Sequence, residues 1–552
     1  MFSGPRLPAW TRVTLALALV GLRVSSAAAQ FPQWSTFPVT YVDARVLPRG
    51  LLQIGFLPSY AHYDTRFDSS GTIEALGRYL TSDSAGSNFL PSLAGAEAAV
   101  RSITGDSNYR MTLGKVSLPL AADVRRFPFD FAFGITDWLT LGVRVPLVKT
   151  RVQGVLSLDT TGANVGWNQA AAAAGNDQGA AQIQTLLGQL DDAIAYVEDQ
   201  IAQGSYGCPS SGQCAGANTA LAQAVSLRDN LLVLTGQEAA GVLPPVAPLA
   251  SSATGQAIRD AIAAVAAALA GFGAGPVNST LMALPSAQLD TVAIQTIVTD
   301  TTAFGYELLR LATPKRIYTL GDVEAVLRIG LLRGDRFRVV LTTGVRFPTG
   351  YRQQPTHAFN LGTGDKQLDL EGGVEFAWEP GPLGISGTAI YTRQLADQLS
   401  MRWAPPERPI ASAAYELLTD RQLGDAFRVA IYPSLRLNEG FRVYGSAYYF
   451  HKAADAYTLP GGVTPPPGTP AAADLARGSG GQSLSLGGGI AYRATRPQRD
   501  TTGTRSALPV EAGMSYQAAF SGSGGLVPKS TVLHLYLRFH ARLFGRVGEQ
   551  SP

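Results

Sequence analysis

Only 15% of the 552 residues are charged, whereas glycine contributes 60 and tyrosine with phenylalanine 42. That balance argues against a helical cytosolic enzyme and for strands, turns and a large apolar surface. The net charge of +3 hides an uneven distribution: residues 155–313 hold twelve acids against three bases, a local −9, and the remainder holds 41 bases against 29 acids, or +12.

The chain opens with Arg6 and Arg12, an apolar run from Val13 to Val20, and the small residues Ser25 to Ala29. A charged start, a short apolar stretch and an Ala-x-Ala end predict a secretory signal peptide over residues 1–29, cleaved before Gln30. The run falls short of the roughly 20 apolar residues a membrane helix needs. Export places Cys208 and Cys214, the only two cysteines, in an oxidising compartment, so a local disulfide is expected. No histidine lies nearby to complete a metal site with them.

Residues 30–156 read as the first part of a barrel, with three strands over 51–67, 122–135 and 138–156. Residues 157–317 then change character. Ile183, Leu187, Leu190, Ile194, Val197 and Ile201 recur at helical spacing, followed by Leu221, Val225 and Leu232, then Ile258, Ile262, Val265 and Leu269, then Leu289 and Val292. Gly/Pro/Ser-rich stretches separate these runs, which predicts an antiparallel α-helical insertion with the disulfide in its first turn. Residues 318–544 return to period-two alternation and supply nine further strands, and 545–552 form a C-terminal tail.

The last strand illustrates the pattern. Leu533, Leu535, Leu537, Phe539 and Ala541 alternate with His534, Tyr536, Arg538, His540 and Arg542. Successive strand residues face opposite sides, so one face is apolar and the other basic. Twelve such strands, each about long enough to cross a bilayer at a tilt, predict an all-β membrane protein: an antiparallel transmembrane β-barrel of about 12 strands with an α-helical extracellular insertion. Tight turns at 134–137, 333–336, 380–382 and 438–440 alternate with long connections, as periplasmic turns alternate with outer loops. The connection at 496–507 is longer than this rule allows. Phe133, Phe337, Trp378 and Phe441 flank the tight turns on the apolar face, where an inner aromatic girdle belongs. The expected location is the bacterial outer membrane, with the lipid bilayer and the barrel-assembly machinery as partners. For the latter the signal is the aromatic Phe544 closing the final strand.

Inward parity selects the candidate pore-lining residues: Arg144, Arg328, Arg338, Arg346, Arg428, Arg436, Arg442, Arg538 and Arg542, with Glu324, Glu371, Glu375, His534 and His540. Charges in a narrow bore must either pair across strands and plug it or line a wet channel. An open bore with excess arginine would favour anionic or polarisable solutes. No cofactor or metal is expected. His534 and His540 lie six residues apart, ~20 Å at strand rise, too far for one metal site. They sit on the lumen side, which also disfavours a lipid-cleaving enzyme. The inward arginines leave no exposed basic stripe for nucleic acid.

The run Phe131-Ala-Phe-Gly-Ile-Thr-Asp-Trp-Leu-Thr-Leu-Gly-Val-Arg-Val-Pro-Leu-Val148 joins Leu320-Gly-Asp-Val323, Phe347-Pro-Thr-Gly350 and Asn360-Leu-Gly-Thr-Gly-Asp365 in a second pattern. Together these resemble the outer-membrane family labelled putative MetA-pathway of phenol degradation, over roughly 120–160 and 315–400. The resemblance implies a transporter-like barrel that passes small molecules, aromatic or otherwise hydrophobic, and carries over no residue-level site. Two readings of function follow. One is a channel for passive passage of small solutes, aromatic or anionic. The alternative is a structural or adhesive barrel with a closed lumen and a surface-exposed helical domain.

Overall fold

A computed structural model describes residues 42–237, 243–299, 304, 317–352, 362–408, 410, 413–494 and 510–543. The stretch read as a signal peptide, the connection at 496–507, Phe544 and the C-terminal tail lie outside the described residues.

Twelve antiparallel strands close into one barrel. β1 is interrupted, running over Leu51–Phe56 and Ser59–Tyr63. β2 is Leu120–Thr136, β3 Leu139–Gly154, and β4 comes in two pieces, Thr319–Leu320 and Val323–Arg333. β5 to β9 follow as Phe337–Phe347, Asp369–Trp378, Leu383–Gln394, Ala426–Arg436 and Phe441–Lys452. β10, β11 and β12 are Gly481–Arg493, Val510–Ser523 and Thr531–Arg542. Each strand pairs with its sequence neighbour, and the ring closes where β1 pairs with both β2 and β12, as Leu52 faces Phe133 on one side and Ala541 on the other. Closure removes every sheet edge, which is what lets strands stand in lipid with all backbone groups bonded. At the break in β1, Pro58 has no N–H to give. Its carbonyl accepts from Leu535 N, and Leu57 N donates to Pro128 O, so the ladder resumes on both sides.

Alternation sets the two faces. On β12, Leu533, Leu535 and Phe539 are exposed on the outside, whereas His534, Tyr536 and His540 are buried inside. The same outward exposure holds for Ile54, Phe129, Phe131, Leu141, Val143, Leu341, Val374, Phe427, Ile431, Leu486 and Ile490, which together ring the barrel. An apolar belt that continuous is intolerable in water and is the surface a hydrocarbon layer solvates. Phe337, Trp378 and Phe441 are exposed beside the tight turns, as an inner girdle requires. Among the described residues no helix is long and apolar enough to cross a membrane.

The outer end carries a helical domain assembled from two connections. The β1–β2 connection supplies α1 (Leu93–Thr104). The β3–β4 connection supplies α2 (Asp177–Ala202), α3 (Gly212–Thr235), α4 (Ala253–Ala270) and α5 (Thr291–Thr299). Asn176, Ser211 and Ser252 accept from backbone N–H groups at the starts of α2, α3 and α4, closing their first turns. A two-stranded ribbon, Lys115–Ser117 against Ser157–Asp159, ties the two connections together. Leu93, Val100, Ile183, Leu190, Val197, Leu231, Leu234, Ile258, Ile262 and Ile297 share one buried core. The helical periodicity of residues 183–299 foretold α2 to α5. α1 was not foreseen, because Leu93-Ala-Gly-Ala-Glu-Ala-Ala-Val offers only two large apolar residues. Cys208 and Cys214 form a disulfide that ties the α2–α3 turn to the first turn of α3.

Candidate functional site

The barrel interior gathers the inward-facing side chains into two unlike walls. Along β2 to β8 runs a ladder of ion pairs. Arg144 holds Asp130 bidentately, at 2.7 and 3.0 Å, and reaches Glu324 at 3.4 Å. Arg346 meets Glu324 at 3.4 Å, Asp369 at 3.0 Å and Glu371 at 3.0 Å. Arg428 donates to Glu371 at 2.6 Å and to Thr392 at 2.9 Å. Lower in the bore Arg328 pairs with Glu375 at 2.5 Å, and Glu379 takes both Arg338 at 3.2 Å and Arg442 at 2.6 Å. Across the bore Glu511 takes Arg493 at 2.9 Å and Arg538 at 3.5 Å.

Strand register produces this ladder. Glu324 lies directly opposite Arg144 on β3 and Arg346 on β5, and Glu371 lies one strand further along. Cross-strand neighbours of opposite charge on one face attract, and the guanidinium fork bridges two carboxylates at once. The charges along this wall are therefore paired across strands. The arginines of this wall are thus not bare cations.

The second wall, β8 to β12, is lined by tyrosines. Tyr432 and Tyr444 meet edge to face, with ring centroids 6.0 Å apart, and both are buried with Tyr536. Tyr448 packs beside them, and the Arg538 guanidinium lies 5.1 Å from the Tyr536 ring centroid. Ser434, Ser446, Ser515 and Gln517 complete this wall as buried polar groups.

The candidate residues divide accordingly. Arg144, Arg328, Arg338, Arg346, Arg428, Arg442 and Arg538, with Glu324, Glu371 and Glu375, come together in the bore. His540 shares a hydrogen bond of 3.2 Å with Gln53 on β1, and His534 is buried near the outer end of β12. Arg436 and Arg542 share the inward parity but stand exposed at the inner rim, where β8 and β12 run out of the sheet. Arg436 there donates to the Gly381 carbonyl at 2.9 Å. These two belong to the mouth, not the bore.

Both ends of the bore are covered. At the inner end, residues 42–50 cross the opening. Leu47 N donates to Thr140 Oγ1 at 2.8 Å, Arg338 Nε donates to the Asp43 carbonyl at 3.0 Å, and Arg493 reaches the Asp43 carboxylate at 2.5 Å. Ala44 is buried against Val340 and Ala377. At the outer end, Ile410 of the β7–β8 connection is buried in the core of the helical domain, whose own connections spring from β1 to β4. Since β7 and β8 stand across the ring from β1 and β2, that contact spans the mouth. The inner cover was illegible in the sequence, because Val42 to Gly50 shows no periodicity. Glu379 and Glu511 were overlooked as well, Glu379 for lying in a turn and Glu511 for opening a weakly alternating strand.

Fold and interior together define a transmembrane β-barrel of the bacterial outer-membrane type, covered outside by a helical domain and inside by residues 42–50. Among solved structures the chain is similar to the COG4313 outer membrane channel from Pseudomonas putida F1, with a TM-score of 0.40 and 8% identity over 91% of this chain and 100% of that one. It is similar to the Ralstonia pickettii toluene transporter TbuX at a TM-score of 0.27 and 8% identity, over 90% of each chain. A Pseudomonas aeruginosa FadL homologue gives 0.24 and 8%, again over 90% of each. No protein-family model matches the chain, and no curated protein does.

Proposed function

We propose that the protein is a gated, passive outer-membrane channel for small aromatic solutes that carry a polar or acidic group. The observation that carries this reading is solvent access within the covered bore. The side chains of Arg144 and Arg328 both retain 27% exposure although they face inward, so the bore keeps open space around its ion pairs rather than being packed solid. A filled lumen would instead bury such pairs completely. One wall then offers guanidinium–carboxylate pairs that exchange partners with a polar substituent, and the other offers tyrosine rings that stack on an aromatic one. The resemblance of residues 131–148 and 320–365 to the phenol-degradation family points to the same solute class.

The test is uptake by proteoliposomes containing the full-length barrel, with benzoate and phenol as solutes and glucose as control. Entry of the two aromatics faster than into protein-free liposomes, with glucose unchanged, supports the proposal, and rates equal to those of protein-free liposomes for all three overturn it. A second reading, a closed barrel that displays the helical domain, is favoured by the covers at both ends. Its signature is the same leak-level uptake, together with no step conductance when the inner cover is loosened.

A further inference from the structure

The outer surface of β1 to β3 breaks the pattern of the rest of the barrel. Strand register places two rows of polar side chains side by side on the lipid-facing side. Tyr60, Arg125 and Lys149 form one row, and His62, Asp123 and Arg151 the other. Directly below them come Phe127 and Leu147, and then Phe129 and Val145, all apolar. Arg125 lies eight residues from Phe133 at the inner turn, ~27 Å along the strand and about 20 Å across the membrane at the usual tilt, with Asp123 and Arg151 a step higher. That height is the outer edge of an apolar band about 25 Å tall, at the level of the headgroups.

Charge pairing separates these bases from the bore arginines and from Arg393. The bore arginines take carboxylates, and on the outer surface of the opposite side Arg393 pairs with Asp425 at 2.7 Å. Among the described residues Arg125, Lys149 and Arg151 have no carboxylate partner. Asp123, which could serve, is turned towards β1, where one carboxylate oxygen accepts from Tyr60 Oη at 2.7 Å and lies 2.8 Å from His62 Nδ1. Arg125 and Lys149 instead lie over aromatic rings, Arg125 5.5 Å from the Tyr60 centroid and Lys149 5.8 Å from the Tyr318 centroid. Three bases with one carboxylate, Asp123, among them and no contact ion pair to it, two of them over tyrosine rings at headgroup height, leave a net positive cluster suited to tetrahedral oxyanions carried by the membrane itself.

We infer that Arg125, Lys149 and Arg151 bind the phosphate groups of a phosphorylated lipid in the outer leaflet. The apolar column below would take its acyl chains, which a soluble phosphate lacks.

Native mass spectrometry of the full-length barrel, titrated with lipid A as the phosphorylated glycolipid, tests this. Wild type should retain lipid A, bind its dephosphorylated form much more weakly, and keep the lipid against excess inorganic phosphate. Near an anionic surface each base contributes about fivefold in affinity, so the triple variant Arg125→Gln/Lys149→Gln/Arg151→Gln should bind about a hundredfold more weakly. Arg393→Gln should leave binding unchanged. Heat-modifiable migration on gels reports folding, and if the triple variant fails there, the three single variants should each lose about fivefold. Wild-type affinity in folded variants, or equal binding of dephosphorylated lipid, overturns the inference. So does displacement of the lipid by inorganic phosphate.

Discussion

Asp43 and Arg493 stand 450 residues apart in the chain and meet at 2.5 Å, the carboxylate of the segment that crosses the inner mouth against the guanidinium at the inner end of β10. Arg45 adds a second cation 3.6 Å from the same carboxylate, and Arg338 holds the Asp43 carbonyl. The Asp43 carboxylate is thus the cover's one ion-paired anchor among the described residues, joined by Arg49 N donating to Asp137 Oδ1 at 2.9 Å and by the apolar contacts of Ala44 and Leu47. Loss of the Asp43 carboxylate removes the ion pair that ties this segment to β10.

Asp43→Asn should raise the open probability of the channel. A hydrogen bond to a charged group contributes about 1.5–3 kcal/mol, and solvent access at both partners places this one near the lower end, for about a tenfold shift towards opening. Planar-bilayer recording checks it. Open probability equal to wild type would mean that the segment does not gate.

Glu371 is the point where the ladder can be tipped. It takes Arg346 at 3.0 Å and Arg428 at 2.6 Å. Glu371→Gln keeps the shape and leaves the pair of guanidiniums with one negative charge fewer, so the bore gains a net positive charge. Reversal potentials in a salt gradient should shift towards anion selectivity, and benzoate uptake should rise relative to phenol. A cation-ward shift would contradict the assignment of this wall to the conducting path.

The barrel was legible in the sequence because its code is local: Leu533 to Arg542 declares two faces without reference to any other strand. Charge content could be read in the same way, yet its consequence could not. Whether Arg346 is a bare cation or shares three carboxylates depends on which residues stand opposite, and register is set by turns and closure far from the strand itself. Tyr432, Tyr444, Tyr448 and Tyr536 share the inward parity of the arginines, so the aromatic wall could have been found by asking which strands contribute rings and which contribute charges. Residues 42–50 are another matter. Their position follows from partners on several strands at once, a relationship that no periodicity encodes.

Reduction of the Cys208–Cys214 bond should loosen the helical domain and leave the barrel intact. The bond spans a sequence separation of 6, and closing so short a loop stabilises by about 2 kcal/mol in the chain-entropy account. The double variant Cys208→Ser/Cys214→Ser should expose the α2–α3 turn to protease while heat-modifiable migration stays unchanged. Joint loss of both readouts would show that the two parts fold as one unit.

The roof offers the sharpest test of what the domain does. Ile410 is 1% exposed and sits in a core otherwise built from the β1–β2 and β3–β4 connections and the outer ends of β2 and β3. Truncating a buried isoleucine to alanine costs about 2–5 kcal/mol where the surroundings cannot collapse. Here the loss falls on the contact between the β7–β8 connection and the domain, because the remaining core has its own continuous packing. Ile410→Ala should thus release that connection without unfolding the helices, whose circular dichroism should persist. In an Asp43→Asn background, where the inner cover is already loosened, it should raise conductance further if the roof restricts the path. If the helices hold while conductance stays at the level of the single variant, the domain is not a lid, and solutes enter beside it.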